Sequence, residues 1–123
     1  LAPKLLLIAL APVLITACSS EAPVSFSQEV KPVLDKHCLS CHQQGGAGYE
    51  ASGFSMTSYE NLMKGTTNGP MVIPFDVEGS NLLVLMEGRA DPSISMPHGS
   101  LDPVPQVDID KIKSWVRQGA ENN

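Results

Sequence analysis

Cys38-Leu39-Ser40-Cys41-His42 decides the reading of this chain. Two thiols three positions apart, followed at once by an imidazole, make the C-x-x-C-H pattern of covalent haem attachment. The spacing has a physical reason. Thiols so placed at the end of a helix both reach the vinyl groups on one edge of a porphyrin, and the next residue sets an imidazole under the iron. A thioredoxin-like C-x-x-C would sit in a βαβ context, and none is readable here. A structural zinc site wants a second pair of ligands along the chain. The remaining histidines are His37 and His98, with no further Cys in this part of the sequence. A disulfide between Cys38 and Cys41 would leave His42 unexplained.

Outward from the motif, apolar residues recur at helical spacing. Phe26, Val30, Val33, Leu34 and His37 fall on one face and predict a helix over 26–37, with Ser25 or Ser27 as N-cap. Pro32 lies near its first turn, where proline is tolerated or bends the helix. A short helix is predicted over 58–64, with Thr57 and Glu60 as a capping box and Gly65 as its stop. Another is predicted over 81–87, capped by Ser80, with Leu82, Leu83, Leu85 and Met86 facing inward and Gly88 at its end. The last covers 109–118, capped by Asp108, with Ile109, Ile112, Trp115 and Val116 on its apolar face and Gly119 beyond. Stretches 43–55, 66–79 and 88–107 read as loops, and no stretch alternates as a strand does. The expected class is all-α: about four short helices and long loops wrapped around one covalent haem.

Composition agrees. The 123 residues include six aromatics, ten glycines and ten prolines. Such a loop-rich domain has few bulky side chains to fill its own core, so an apolar cofactor would supply packing volume. The formal charge of −5 disfavours nucleic acid, which needs clustered Lys and Arg. It suits a partner protein with a basic docking face, and equally it could serve solubility alone.

The amino terminus reads as an address. Lys4 precedes an apolar run from Leu5 to Ile15, too short for a spanning helix of about 20 residues. A basic start, a short apolar centre and small residues after it form a secretory signal over 1–17. Ile15-Thr16-Ala17-Cys18 resembles the lipobox of bacterial lipoproteins, which implies cleavage before Cys18 and acylation of that cysteine. Paired acyl chains then give stable anchoring. Ser19 and Ser20 lack the acidic residue that in such lipoproteins favours the inner membrane, which points to the outer one. Residues 18–25 are thus the expected lipidated cysteine and short flexible tether, and 26–123 the domain. The expected location is a membrane surface facing the periplasm.

From Phe26 to Ala120 the sequence resembles the class I cytochrome c domain, in the compact form common in planctomycete-type proteins. The resemblance rests on Val30-Lys31-Pro32-Val33-Leu34, on Cys38 to His42, and on Trp115-Val116-Arg117-Gln118-Gly119-Ala120. It implies that the first and last helices cross, that Trp115 packs on the first, and that haem lies in the pocket they form with the loops. The chain departs from the pattern at Phe75, where glycine usually follows Pro74.

Five methionines compete for the sixth iron position. Met63 and Met86 lie in helices, Met56 precedes a helix cap, and Met71 sits in an apolar run, so these read as packing. Met96-Pro97 stands where the family's axial Met-Pro stands, in the loop before the last helix. His98 is the rival, and would give a lower-potential bis-histidine site. His37 abuts Cys38 and reads as packing. With both axial positions filled the iron has no room for substrate. The expected function is one-electron transfer, without catalysis, as a carrier or as a subunit of a redox complex. The alternative is a haem enzyme or ligand sensor with a labile sixth position.

Overall fold

The computed structural model describes residues 20–123. The leader at 1–17 and Cys18 lie outside the described residues. A π-helical turn, Phe26–Val30, runs without a break into α1, Lys31–His37. There follow α2, Ala47–Ser52; α3, Tyr59–Lys64; α4, Asn81–Met86; a 3₁₀ turn, Pro92–Ile94; and α5, Gln106–Arg117. Among the described residues there is no strand, only one isolated bridge between Thr66 and Gly69. The fold is small and all-α, as expected.

The core lies where the first and last helices cross. Phe26, Val30, Val33 and Leu34 from one meet Ile109, Ile112, Trp115 and Val116 from the other, all buried. The Phe26 and Trp115 rings lie 5.4 Å apart. Tyr59 of α3 meets Phe26 edge-on at 5.2 Å and donates its hydroxyl to Ala120 O at 2.8 Å. Ser25 caps the first turn by accepting from Gln28 N. Leu62, Leu82, Leu83 and Met86 complete the core from α3 and α4.

Several expectations at helix ends are corrected. The cap of α3 is Ser58, which accepts from Asn61 N at 3.1 Å, rather than Thr57. Thr57 accepts instead from the Asn61 side chain, so the expected box with Glu60 does not form. Ser80 stands at the N-cap of α4, but its hydroxyl donates to Asp76 O at 2.6 Å and accepts from Ile73 N at 2.9 Å, closing the 73–80 turn. The last helix starts at Gln106 rather than 109. Pro105, with φ fixed near −55°, supplies the N-cap, and its carbonyl accepts from Asp108 N and Ile109 N. Asp108 is therefore a first-turn acid, well placed against the helix dipole, and not the cap. Stretch 43–55 is not all loop, because α2 forms inside it.

Two further segments differ from expectation. Within the expected tether, the described part from Glu21 to Val24 is docked: Glu21, Ala22 and Val24 bond to side chains of α5 and beyond it. Phe75 takes φ +67°, in the left-handed region that favours glycine, while its amide donates to Val116 O at 2.8 Å. The backbone there has the shape a glycine would take.

Candidate functional site

The attachment motif begins where α1 ends. Cys38 closes the helix, its amide on Leu34 O, and the chain then coils tightly so that Cys41 N and His42 N both donate to Cys38 O, at 3.1 and 3.0 Å. Both cysteines are free thiols and half-buried. Burial, and secondarily Cys41 beside it, pushes the Cys38 thiol up to about 11, so it remains an uncharged thiol at neutral pH.

The next stretch of chain holds the His42 ring. Met56 N donates to His42 O at 2.8 Å, and Nδ1 of the ring meets Phe54 O at 3.2 Å. With a proton on Nδ1 for that carbonyl, Nε2 keeps its lone pair for a metal. Burial lowers the His42 pKa, and the Phe54 carbonyl works against that shift without cancelling it. The imidazole is neutral, as a ligand must be. The ring of Phe54 stands edge-on to it at 5.4 Å.

α2 is the element that encloses this imidazole, and sequence reasoning missed it. Three glycines at 45, 46 and 48 argue against a helix there. Packing overrides propensity. Tyr49 N donates to Cys41 O at 2.9 Å, and a Cβ at Gly46 would stand 2.5 Å from that same oxygen. A Cβ at Gly48 would come within 2.7 to 3.0 Å of His42 Cε1, Nε2 and Nδ1. The signal was present as glycine placement: only Gly fits where backbone lies this close to the ring.

Met96 and His98 differ in setting. Met96 is half-buried, and its amide donates to Leu85 O at 3.2 Å at the end of α4. Asp91 shapes the approach by capping the 3₁₀ turn, accepting from Ser93 N at 2.8 Å and from the Ser93 hydroxyl. His98 is exposed, and its Nδ1 meets Ser95 O at 3.2 Å within the same loop. Met56 and Met86 are buried in the core, and Met63 and Met71 pack against it. His37 packs between helices, with Nε2 3.6 Å from Asp108 Oδ2.

The donor set fits haem: two free thiols one turn apart and a neutral imidazole whose outer nitrogen is free, braced by a glycine that leaves room for the ring. Among the described residues no three His, Cys, Asp or Glu side chains converge as a metal cluster would require. An all-α fold closed by a Trp-bearing last helix, with C-x-x-C-H at the end of its first, defines a c-type cytochrome domain. Residues 38–98 match the family model of planctomycete cytochrome C, which supports a cytochrome c-type domain of that kind. No curated protein and no solved structure matches the chain. The family implies covalent haem c and electron transfer.

Proposed function

We propose that this chain is a monohaem electron carrier, or the electron-carrying subunit of a redox complex, anchored to a membrane through acylated Cys18. The cysteines Cys38 and Cys41 hold haem by thioethers, and His42 and Met96 hold its iron. Haem supplies reversible one-electron chemistry when bound, and the chain tunes and presents it. His42 contributes through Nε2, with Phe54 O fixing the tautomer and Gly48 fixing the ring. Met96 contributes a thioether, which favours the reduced metal over a second imidazole. The periplasmic face, the outer membrane in preference to the inner, and a redox partner with a basic face belong to the same reading.

One observation carries it: Nδ1 of His42 is engaged by Phe54 O, beside two free thiols, so the motif is set for metal ligation rather than for redox chemistry of its own. The choice of Met96 over His98 is supported by setting. Met96 is half-buried and tied to α4, whereas His98 is exposed and tied only to its own loop.

The test is an absorption spectrum of both redox states with two variants. Met96→Ala should remove the methionine-to-iron charge-transfer band and lower the potential by more than about 59 mV, the equivalent of tenfold for one electron. His98→Ala should change neither. The opposite pattern would assign the sixth position to His98.

A further inference from the structure

The segment ahead of the first helical turn is gripped by side chains at one end of α5. Gln118 reads its backbone on two sides: Nε2 donates to Ala22 O at 2.9 Å, and Oε1 accepts from Val24 N at 2.8 Å. Asn123 Nδ2 donates to Val24 O at 3.3 Å. Glu21 accepts from the Ser114 hydroxyl and pairs with Arg117 Nη1 at 3.1 Å. Val24 is half-buried against the core, and Pro23 disfavours helical backbone at Ala22. A bidentate grip on Ala22 and Val24 permits one register only.

All these grips fall between Ser114 and Asn123. The attachment motif stands by the other end of α5, where His37 lies 3.6 Å from Asp108 and Cys38 follows directly. At the helical rise, Asp108 and Arg117 are about 13 Å apart along the axis. Cys18 is three residues before Glu21, so its Cα can lie no farther than about 11 Å from that of Glu21.

We propose that Glu21–Val24 is an orienting strap, which sets the Ser114–Gln118 end of α5 toward a lipid bilayer and the Cys38–His42 end away from it. This rests on the reading of Cys18 as the lipid anchor. The short span between anchor and grip leaves the domain little freedom to roll. The attachment end, and with it the redox centre, then faces the aqueous phase, where a partner protein arrives.

The test uses the acylated, haem-loaded full chain in oriented phospholipid multilayers, read by polarised absorption of the haem. Wild-type protein should be dichroic. Glu21→Ala combined with Gln118→Ala should abolish the dichroism while membrane partition, spectrum and melting temperature hold. Separately, the Val24 amide should exchange its hydrogen about tenfold faster in Gln118→Ala than in wild type, as loss of one hydrogen bond allows. Partition without dichroism, or dichroism that survives the double substitution, overturns the orientation. Equal Val24 exchange in the two proteins overturns the docked strap. Failure to partition at all overturns the anchor reading and the orientation with it, and the Val24 exchange distinguishes that failure from failure of the strap.

Discussion

The helix crossing and the 89–104 loop are held by different forces. At the crossing, Trp115 is 1% exposed, its ring meets those of Phe26 and Tyr59, and its Nε1 donates to Glu121 O at 2.9 Å. In the loop, Ile94 is 51% and Leu101 56% exposed. Among the described residues, one hydrogen bond ties residues 90–104 to the rest, from Met96 N to Leu85 O. The crossing packs protein on protein. The loop is shaped by local contacts, Asp91 on Ser93 and His98 on Ser95, and needs a further hold to be fixed. Under the proposed function that hold is the bond from Met96 to iron. On that reading the crossing and the cofactor share the work of folding, and neither suffices alone.

The largest effect should come from the cofactor side. Cys38→Ala together with Cys41→Ala should abolish covalent haem and leave the chain largely unfolded by circular dichroism. A well-folded, haem-free double variant would break the comparison, because the crossing would then suffice alone. Next comes the crossing itself. Trp115→Ala should cost about 3–5 kcal/mol in denaturant unfolding, the range for emptying a large buried aromatic site. The haem spectrum of the fraction that stays folded should be unchanged, since Trp115 packs on Phe26 and not on His42.

Phe75 gives a smaller and sharper test, because its ring leans on Gly119 beside the crossing. A Cβ at Gly119 would stand 2.7 Å from Phe75 Cζ. Phe75→Gly should leave stability within about 1 kcal/mol of wild type, as relief of the left-handed backbone offsets the lost contact. Phe75→Val should cost about 1–2 kcal/mol, since a β-branched residue resists positive φ. If glycine proves worse than valine by thermal melting, the backbone is not left-handed there in solution.

The smallest effect concerns Glu87, which links the end of α4 to α5. Its carboxylate meets Lys113 Nζ at 2.6 Å and Arg89 Nε at 2.7 Å. Lys113 first, then Arg89, hold its pKa below the ordinary carboxylate value, with burial opposing. A depressed carboxyl contributes fully above its unfolded pKa, and the contribution fades as pH falls through the folded one. Glu87→Gln should therefore lose roughly 0.5–1 kcal/mol at neutral pH and lose less in acid. Melting curves at neutral pH and at pH values below the ordinary carboxylate range measure it.

The crossing was legible because one helix period governs it. Phe26, Val30, Val33 and Leu34 fall at helical spacing, and so do Ile109, Ile112, Trp115 and Val116. Boundaries were less so. Thr57 and Ser58 are adjacent hydroxyls of similar capping strength, and only the observed bond from Asn61 N to the Ser58 hydroxyl separates them. Asp108 resembles a cap, but Pro105 starts the helix earlier. α2 escaped because its glycines serve close approach to Cys41 and His42, a tertiary cause with no periodic trace. The docked strap escaped as well, since Ser-Ser-Glu-Ala-Pro-Val has the composition of a linker and its partners lie more than 90 positions away. The attachment motif was fully readable, since its chemistry is local. The placing of Met96 was readable only by position.

The π-helical turn at Phe26–Val30 has a consequence for chain length. Its bonds run five residues back, Val30 N to Ser25 O and Lys31 N to Phe26 O, so this turn holds one residue more than an α-turn. The wide turn sits just before Pro32, which cannot donate a hydrogen bond and crowds the carbonyl four residues earlier. A homologue one residue shorter here could keep the helix, but everything upstream would rotate by about 100° around its axis. Phe26 would then leave the ring of Trp115, and Ser25 would leave its capping position. Along this turn, the spacing between the aromatic anchor and the haem motif tolerates substitution more readily than deletion.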